Sequence, residues 1–159
     1  TTGLTEDQLK KVQETSKEIP VLRSANMSLG VNTLMKLVQA AAKVLAEAGF
    51  DMEIVEKHHK LKCDAPSGTA IALADSLNEA MDNQYHEQRD PKEIGISAVR
   101  GGTIVGDHDV IFAGPDEVVI LSHRAYSKGV FGKGAVEAAK FLAGKPAGMY
   151  DMQDVIAAK

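Results

Sequence analysis

The segment EKHHKLKCDAPSGTA, residues 56–70, joins a predicted strand to a predicted helix and contains most of the reactive side chains of interest. Apolar residues at its N-terminal side predict a strand over 51–57, and apolar residues at helical spacing predict a helix over 67–81. The Pro-Ser-Gly-Thr sequence at 66–69 suits a helix start. Proline is tolerated there, serine can cap the helix, and glycine lets a ligand approach the backbone.

Three side chains of this segment are candidates for chemistry: His58, His59 and Lys62. The two histidines point to opposite faces if the strand continues through them. Histidine titrates near pH ~6.5 and can donate a proton at neutral pH, while a lysine can pair with a carboxylate. A helix start binds anions through its N–H groups and its dipole. The same pattern also allows solvated surface residues and an ordinary capped helix.

Composition limits the classes of protein that this chain can represent. Hydrophobic residues make up 44% and charged residues 25%, which is typical of a globular protein. The formal net charge of -4 disfavours nucleic-acid binding, and no apolar run approaches the ~18 residues of a membrane span. The N-terminal residues show no secretory-signal pattern, and the single cysteine, Cys63, cannot form an intrachain disulfide. We therefore expect a cytoplasmic protein.

The rest of the sequence predicts alternating helices and strands. Gly101-Gly102 and Gly114-Pro115-Asp116 are predicted turns between strands, which suggests antiparallel hairpins and an α+β fold. The predicted elements are helices over 5–17, 29–48 and 128–142, strands over 19–25, 94–100, 108–113 and 117–123, a loop over 83–92, and a short amphipathic tail over 149–157.

Neither a metal site nor a dinucleotide fingerprint is predicted. The possible metal ligands match no His-Glu-x-x-His or Cys-x-x-Cys pattern, so we assign no metal. Gly129, Gly132 and Gly134 have the reverse of the G-x-G-x-x-G spacing and lie in a helical pattern. The possible metal ligands considered are His58, His59, Cys63, Asp64, His86, His108 and His123, of which His108 and His123 are predicted to make structural hydrogen bonds.

The 56–70 segment resembles the E-x-H-H-x-x-K-x-D-A-P-S-G-T-A signature of the dihydrodipicolinate reductase family, which acts in lysine and diaminopimelate synthesis. The resemblance covers essentially the whole chain. It extends to TTG at 1–3, SANMSLGVN at 24–32, RGGTIVGDH at 100–108, SHRA at 122–125 and GMYDM at 148–152.

This resemblance implies a role for each matching residue. A hydride from NADPH or NADH reduces a C=C/C=N system of a cyclic dicarboxylate, and the protein orients the ring and supplies a proton. His58 is implied as the catalytic proton donor with Lys62 as its partner, and the family is homotetrameric. Implied substrate contacts are His59, Gly68 and Thr69, and implied cofactor contacts are Thr1, Thr2, Ser24, Ala25, Asn26 and Met27.

The resemblance also implies a domain division. Residues 1–25 would be a remnant of the nucleotide-binding domain, 26–147 a substrate-binding and tetramerisation domain, and 148–159 a tail that returns to the first domain. The expected fold is α+β, a mixed sheet with flanking helices, plus Rossmann remnants at both termini. The family's glycine-rich phosphate loop is not in this sequence, so we expect the chain alone to turn over little substrate. A non-catalytic oligomerisation module is the alternative.

Overall fold

The computed structural model describes residues 4–81 and 93–159, so the predicted loop over 83–92 lies outside the described residues. The described chain forms two compact units, one from the segment up to Asn32 together with 128–159, the other from 33–127. Its elements are α1 (Glu6–Thr15), β1 (Pro20–Leu22), α2 (Leu29–Leu45), β2 (Asp51–His58), α3 (Gly68–Met81), β3 (Gly95–Arg100), β4 (Gly106–Ala113), β5 (Val118–Ala125), α4 (Gly129–Leu142), β6 (Gly148–Tyr150) and α5 (Met152–Ala157).

The 33–127 unit contains a four-stranded mixed sheet with the order β3-β2-β4-β5. β2 pairs parallel with β3 and antiparallel with β4, and β4 pairs antiparallel with β5. The hairpin expected between β3 and β4 is therefore wrong, because β2 lies between them. The burial of β2 is consistent with this central position, because every second residue from Met52 to His58 is buried.

One face of this sheet supplies the core of the 33–127 unit together with buried side chains of α2 and α3. Ile54, Val110 and Phe112 are fully buried on the sheet. Leu73 and Leu77 of α3, which contacts β2, are also fully buried. Burying such a side chain contributes about 1.5–3 kcal/mol. This packing holds the C-terminal end of β2 beside the start of α3.

The other unit is built from both ends of the chain. β1 and β6 form a two-stranded parallel sheet in which Val21 is opposite Met149. The predicted tail over 149–157 is thus a strand followed by a helix, because its first residues complete a sheet with a distant segment. Its buried cluster comprises Ala138, Met152 and Val155, with Leu22, Met27, Leu29 and Phe141 packed against it.

The α+β class and the mixed sheet with flanking helices are confirmed. The predicted Rossmann remnants at the two termini form one unit, in which β1 and β6 pair parallel. A capping box formed by Thr5 and Gln8 is present at the start of α1, within the predicted helix over 5–17. Contacts place α4 with the terminal segments, whereas the predicted 26–147 domain includes this helix. That functional division stays a prediction. No helix among the described residues is long and apolar enough to cross a membrane.

Candidate functional site

The C-terminal end of β2 presents a carboxylate and a histidine on the same face. Glu56 and His58 are two residues apart on a strand, so both side chains point into the buried side of the sheet. Glu56 is fully buried and His58 is 8% exposed. The Nδ1 atom of His58 lies 2.5 Å from Oε2 of Glu56. This pair resembles the histidine–carboxylate arrangements in which the carboxylate orients the imidazole ring.

Arg100 completes this cluster from the neighbouring strand. The parallel register places Arg100 of β3 opposite His58 of β2. Its Nη1 donates to Glu56 Oε2 at 2.8 Å, and its Nη2 donates to Glu56 Oε1 at 2.7 Å. Nη2 also donates to the main-chain oxygen of Asp64 at 2.6 Å. Arg100 therefore links the C-terminal end of β2 to the loop that follows β2.

These contacts set the ionisation of Glu56. Burial alone would raise the pKa of Glu56, but hydrogen bonds from Arg100, His58 and the Ser67 backbone together lower it below its ordinary value. The same interaction with Glu56 raises the pKa of Arg100. Arg100 and Glu56 therefore form a bidentate ion pair, in which each charge compensates the other inside the protein.

The start of α3 meets the same carboxylate. The backbone N–H of Ser67 donates to Glu56 Oε1 at 3.1 Å. The backbone N–H of Ala70 donates to Ser67 Oγ at 3.2 Å, which confirms the predicted cap. Gly68 is exposed, and a Cβ atom built on it would have no heavy atom within 4 Å. Gly68 and the half-buried Thr69 thus begin the helix at its positive dipole end, with open space beside Gly68.

His108 supports the cluster from β4. Its Nε2 lies 3.1 Å from Ser67 Oγ, and its ring meets the His58 ring edge-on, with centroids 5.2 Å apart and planes at 76°. Burial, and next the charge of His58, lower the pKa of His108 to about 4. His108 is therefore neutral at physiological pH. The structural hydrogen bond predicted for His108 is present.

The loop after β2 carries the other candidates. His59 follows the last strand residue and is half-buried. Lys62 Nζ pairs with both carboxylate oxygens of Asp64, at 2.7 and 2.8 Å. This ion pair is the main cause of the lowered pKa of Asp64. Cys63 is exposed and carries a free thiol.

The candidate cofactor segment lies in the unit that contains both termini. Ser24 Oγ donates to the carbonyl oxygen of Asn26 at 3.1 Å, and Asn32 Nδ2 donates to the same oxygen at 2.9 Å. The Ser28 N–H donates to Asn26 Oδ1 at 2.8 Å. Ala25 is exposed, whereas Met27 is half-buried. Hydrogen bonds to the oxygens of Asn26 thus hold this turn together from within the 24–32 segment. Thr1 and Thr2 lie outside the described residues.

Three residues of the cluster, Glu56, Arg100 and His108, were not predicted as functional residues. The sequence did contain a signal for Glu56: it lies two residues before His58 on the predicted strand, so both side chains share one face. Arg100 and His108 carried no such spacing signal, although both lie in the 100–108 segment that resembles the family. Within residues 4–81 and 93–159, no group of three or more histidine, cysteine, aspartate and glutamate side chains could hold a metal ion.

A comparison with solved structures identifies a known protein of similar fold. The chain is similar to the solved structure of dipicolinate-bound dihydrodipicolinate reductase from Paenisporosarcina sp. TG-14, with a TM-score of 0.72 over 95% of this chain and 60% of that one. The identity is 24%, so this similarity shows the α+β fold alone.

Sequence comparison defines the family. The family model "Dihydrodipicolinate reductase, C-terminus" matches residues 30–156, and the chain belongs to this family. The chain is 59% identical to 4-hydroxy-tetrahydrodipicolinate reductase of Caldanaerobacter subterraneus subsp. tengcongensis, covering 98% of this chain and 65% of that protein. It is 50% identical to the Aquifex aeolicus protein of the same name, and the match covers 98% of this chain and 62% of that protein. The chain thus spans less than two thirds of the length of these relatives.

Proposed function

We propose that this chain supplies the substrate-binding and proton-donating part of a 4-hydroxy-tetrahydrodipicolinate reductase of the diaminopimelate and lysine pathway. The observation that carries the proposal is the His58–Glu56 pair beside the start of α3. It combines a proton donor with a helix start that suits a carboxylate. The family match over 30–156 and the names of the relatives support the same activity.

Each predicted residue has a role in this proposal. His58 donates the proton that the ring needs when it is reduced, and Lys62 exchanges its exposed partner Asp64 for a ligand carboxylate. Gly68 and Thr69 bind a carboxylate through the first turn of α3, and His59 contacts the ring. The Paenisporosarcina structure of the same fold has dipicolinate bound, a planar cyclic dicarboxylate. A ligand of this kind is therefore our substrate class.

NADPH or NADH is the proposed cofactor, and it supplies a hydride when bound. We assign its contacts in this chain to Thr1, Thr2 and the segment 24–27. The hydrogen bonds that hold the carbonyl and side-chain oxygens of Asn26 make this segment a preorganised turn, which suits a backbone contact. The exposed Ala25 leaves that turn accessible.

We also propose that the protein is a cytoplasmic homotetramer that associates through the second face of the four-stranded sheet. This face carries exposed apolar side chains: Val99 is 45%, Val118 57% and Ile120 55% exposed. Exposed apolar side chains of this kind are typical of a protein interface. The same face supports the alternative, a purely structural oligomerisation module. Light scattering on the chain and on an Ile120→Lys variant tests the assembly, with loss of the tetramer expected for the variant.

Calorimetric titration with pyridine-2,6-dicarboxylate tests the substrate site. We expect saturable binding that Lys62→Met weakens about tenfold or more, because a charge-assisted hydrogen bond is lost. Lys60→Met is the matched control, since Lys60 is exposed two residues earlier in the same loop. Absence of binding, or equal loss in both variants, would favour the oligomerisation module. We expect the chain alone to consume little NADPH, which a spectrophotometric assay at 340 nm measures.

A further inference from the structure

The buried carboxylate of Glu56 has every acceptor position occupied. Oε1 accepts from Arg100 Nη2 and from the Ser67 N–H, and Oε2 accepts from Arg100 Nη1 and lies against His58 Nδ1. The side chain is 0% exposed, so no ligand reaches it. Any influence of Glu56 on a bound substrate must therefore act through the groups that it contacts, among them His58.

An ionised carboxylate accepts hydrogen bonds and donates none. The hydrogen between Glu56 and His58 therefore belongs to Nδ1, and the neutral ring carries its lone pair on Nε2. Gly106 of β4 lies next to this second nitrogen, and a Cβ atom there would come within 3.0 Å of Nε2. The glycine thus keeps space open at the atom that exchanges the proton.

We propose that Glu56 is a positioning residue, which holds His58 as the Nδ1–H tautomer so that Nε2 holds and releases the catalytic proton. This inference rests on the proposed function of His58 as the proton donor. It assigns a task to a residue that touches neither substrate nor cofactor.

Arg100 moderates the effect of this carboxylate. Glu56 on its own strand, Arg100 opposite it on β3 and His108 on β4 are titratable or charged groups that lie beside His58. An uncompensated Glu56 would hold the proton on the imidazolium strongly and so oppose its release. The bidentate guanidinium balances that charge, so Glu56 orients the ring while the proton remains transferable.

Nitrogen-15 NMR of histidine-labelled protein tests the tautomer directly, with the His58 signals assigned by a His58→Gln variant. In the unsubstituted protein we expect the neutral ring to be protonated at Nδ1. In Glu56→Gln we expect the Nδ1–H population to fall. Glu53→Gln is the matched control, because Glu53 lies on the opposite face of β2 and we expect no change there.

The pH profile of pyridine-2,6-dicarboxylate binding provides the second readout. An imidazolium attracts the dianion more than a neutral ring does, so affinity rises as pH falls. In Glu56→Gln we expect the midpoint of this rise to move to lower pH by about one unit, a tenfold change, because the imidazolium loses a charge-assisted hydrogen bond. Glu53→Gln keeps the original profile.

Two outcomes would overturn the positioning role. One is a neutral His58 protonated at Nε2 in the unsubstituted protein, which decides the question even where Glu56→Gln does not fold. The other is a folded Glu56→Gln that keeps both the tautomer and the pH profile. An Nδ1–H tautomer in a protein that binds no dicarboxylate would support the positioning of His58 and contradict the proposed function instead.

Discussion

Replacing His108 with glutamine should remove a defined part of the acid sensitivity of this fold. His108 is 3% exposed, and burial with the nearby charge of His58 lowers its pKa from 6.5 to about 4. Between these two values the unfolded chain binds a proton at His108 and the folded chain does not. The contribution of neutral His108 to the free energy of unfolding is therefore fully present above about pH 6.5, and it is lost as the pH falls towards 4.

The size of this loss follows from the two pKa values. Each pH unit between 6.5 and about 4 corresponds to about 1.4 kcal/mol, so the total is about 3 kcal/mol. Glutamine carries no titratable group and can still donate to Ser67 from its amide nitrogen. The difference in the free energy of unfolding between the two proteins should therefore shrink by about 3 kcal/mol between about pH 7 and pH 4.

Urea unfolding followed by circular dichroism at several pH values measures this difference. Val110→Ala is the matched control, because Val110 is fully buried on the same strand and face and carries no proton. Its loss of stability should not change with pH. Parallel pH curves for His108→Gln and the unsubstituted protein would refute the assignment of a buried, neutral His108.

Further substitutions test the packing of α4 and the ion pair in the loop after β2. Gly134→Ala should lower the free energy of unfolding in urea by about 1–3 kcal/mol, because the added methyl group would overlap the main-chain oxygen of Met27. Gly132→Ala in the same helix meets no heavy atom within 4 Å and should raise it by about 0.5–1 kcal/mol. Asp64→Asn should increase the calorimetric affinity for pyridine-2,6-dicarboxylate, because it frees Lys62 from a competing carboxylate.

Each of these predictions has a result that contradicts it. Equal stability of the two alanine variants would mean that α4 does not approach Met27 closely. Asp51→Asn is the control for the ion pair, because it removes one exposed carboxylate at the far end of β2. An equal gain in affinity from Asp51→Asn would show a general charge effect rather than competition for Lys62.

Local sequence patterns determined the parts of the site that lie within about fifteen residues of each other. The alternation of β2 places Glu56 and His58 on one face, and the Ser67 cap places the start of α3 after the loop. Both features depend on backbone periodicity and on hydrogen bonds between neighbours in the chain, which a sequence encodes directly. The family signature over the same residues indicated the chemistry of His58 and Lys62.

Only the tertiary structure decided which distant residues complete the cluster. Arg100 lies 44 residues from Glu56, and His108 lies 41 residues from Ser67. Both contacts exist because β2 pairs with β3 on one edge and β4 on the other, a strand order that the predicted hairpin contradicted. Turn and periodicity signals describe single segments, whereas strand order follows from how the buried faces of all segments pack together. For this reason the sequence alone pointed to His58, the proposed proton donor, and to the start of α3, whereas only the fold showed that Arg100 and His108 lie beside them.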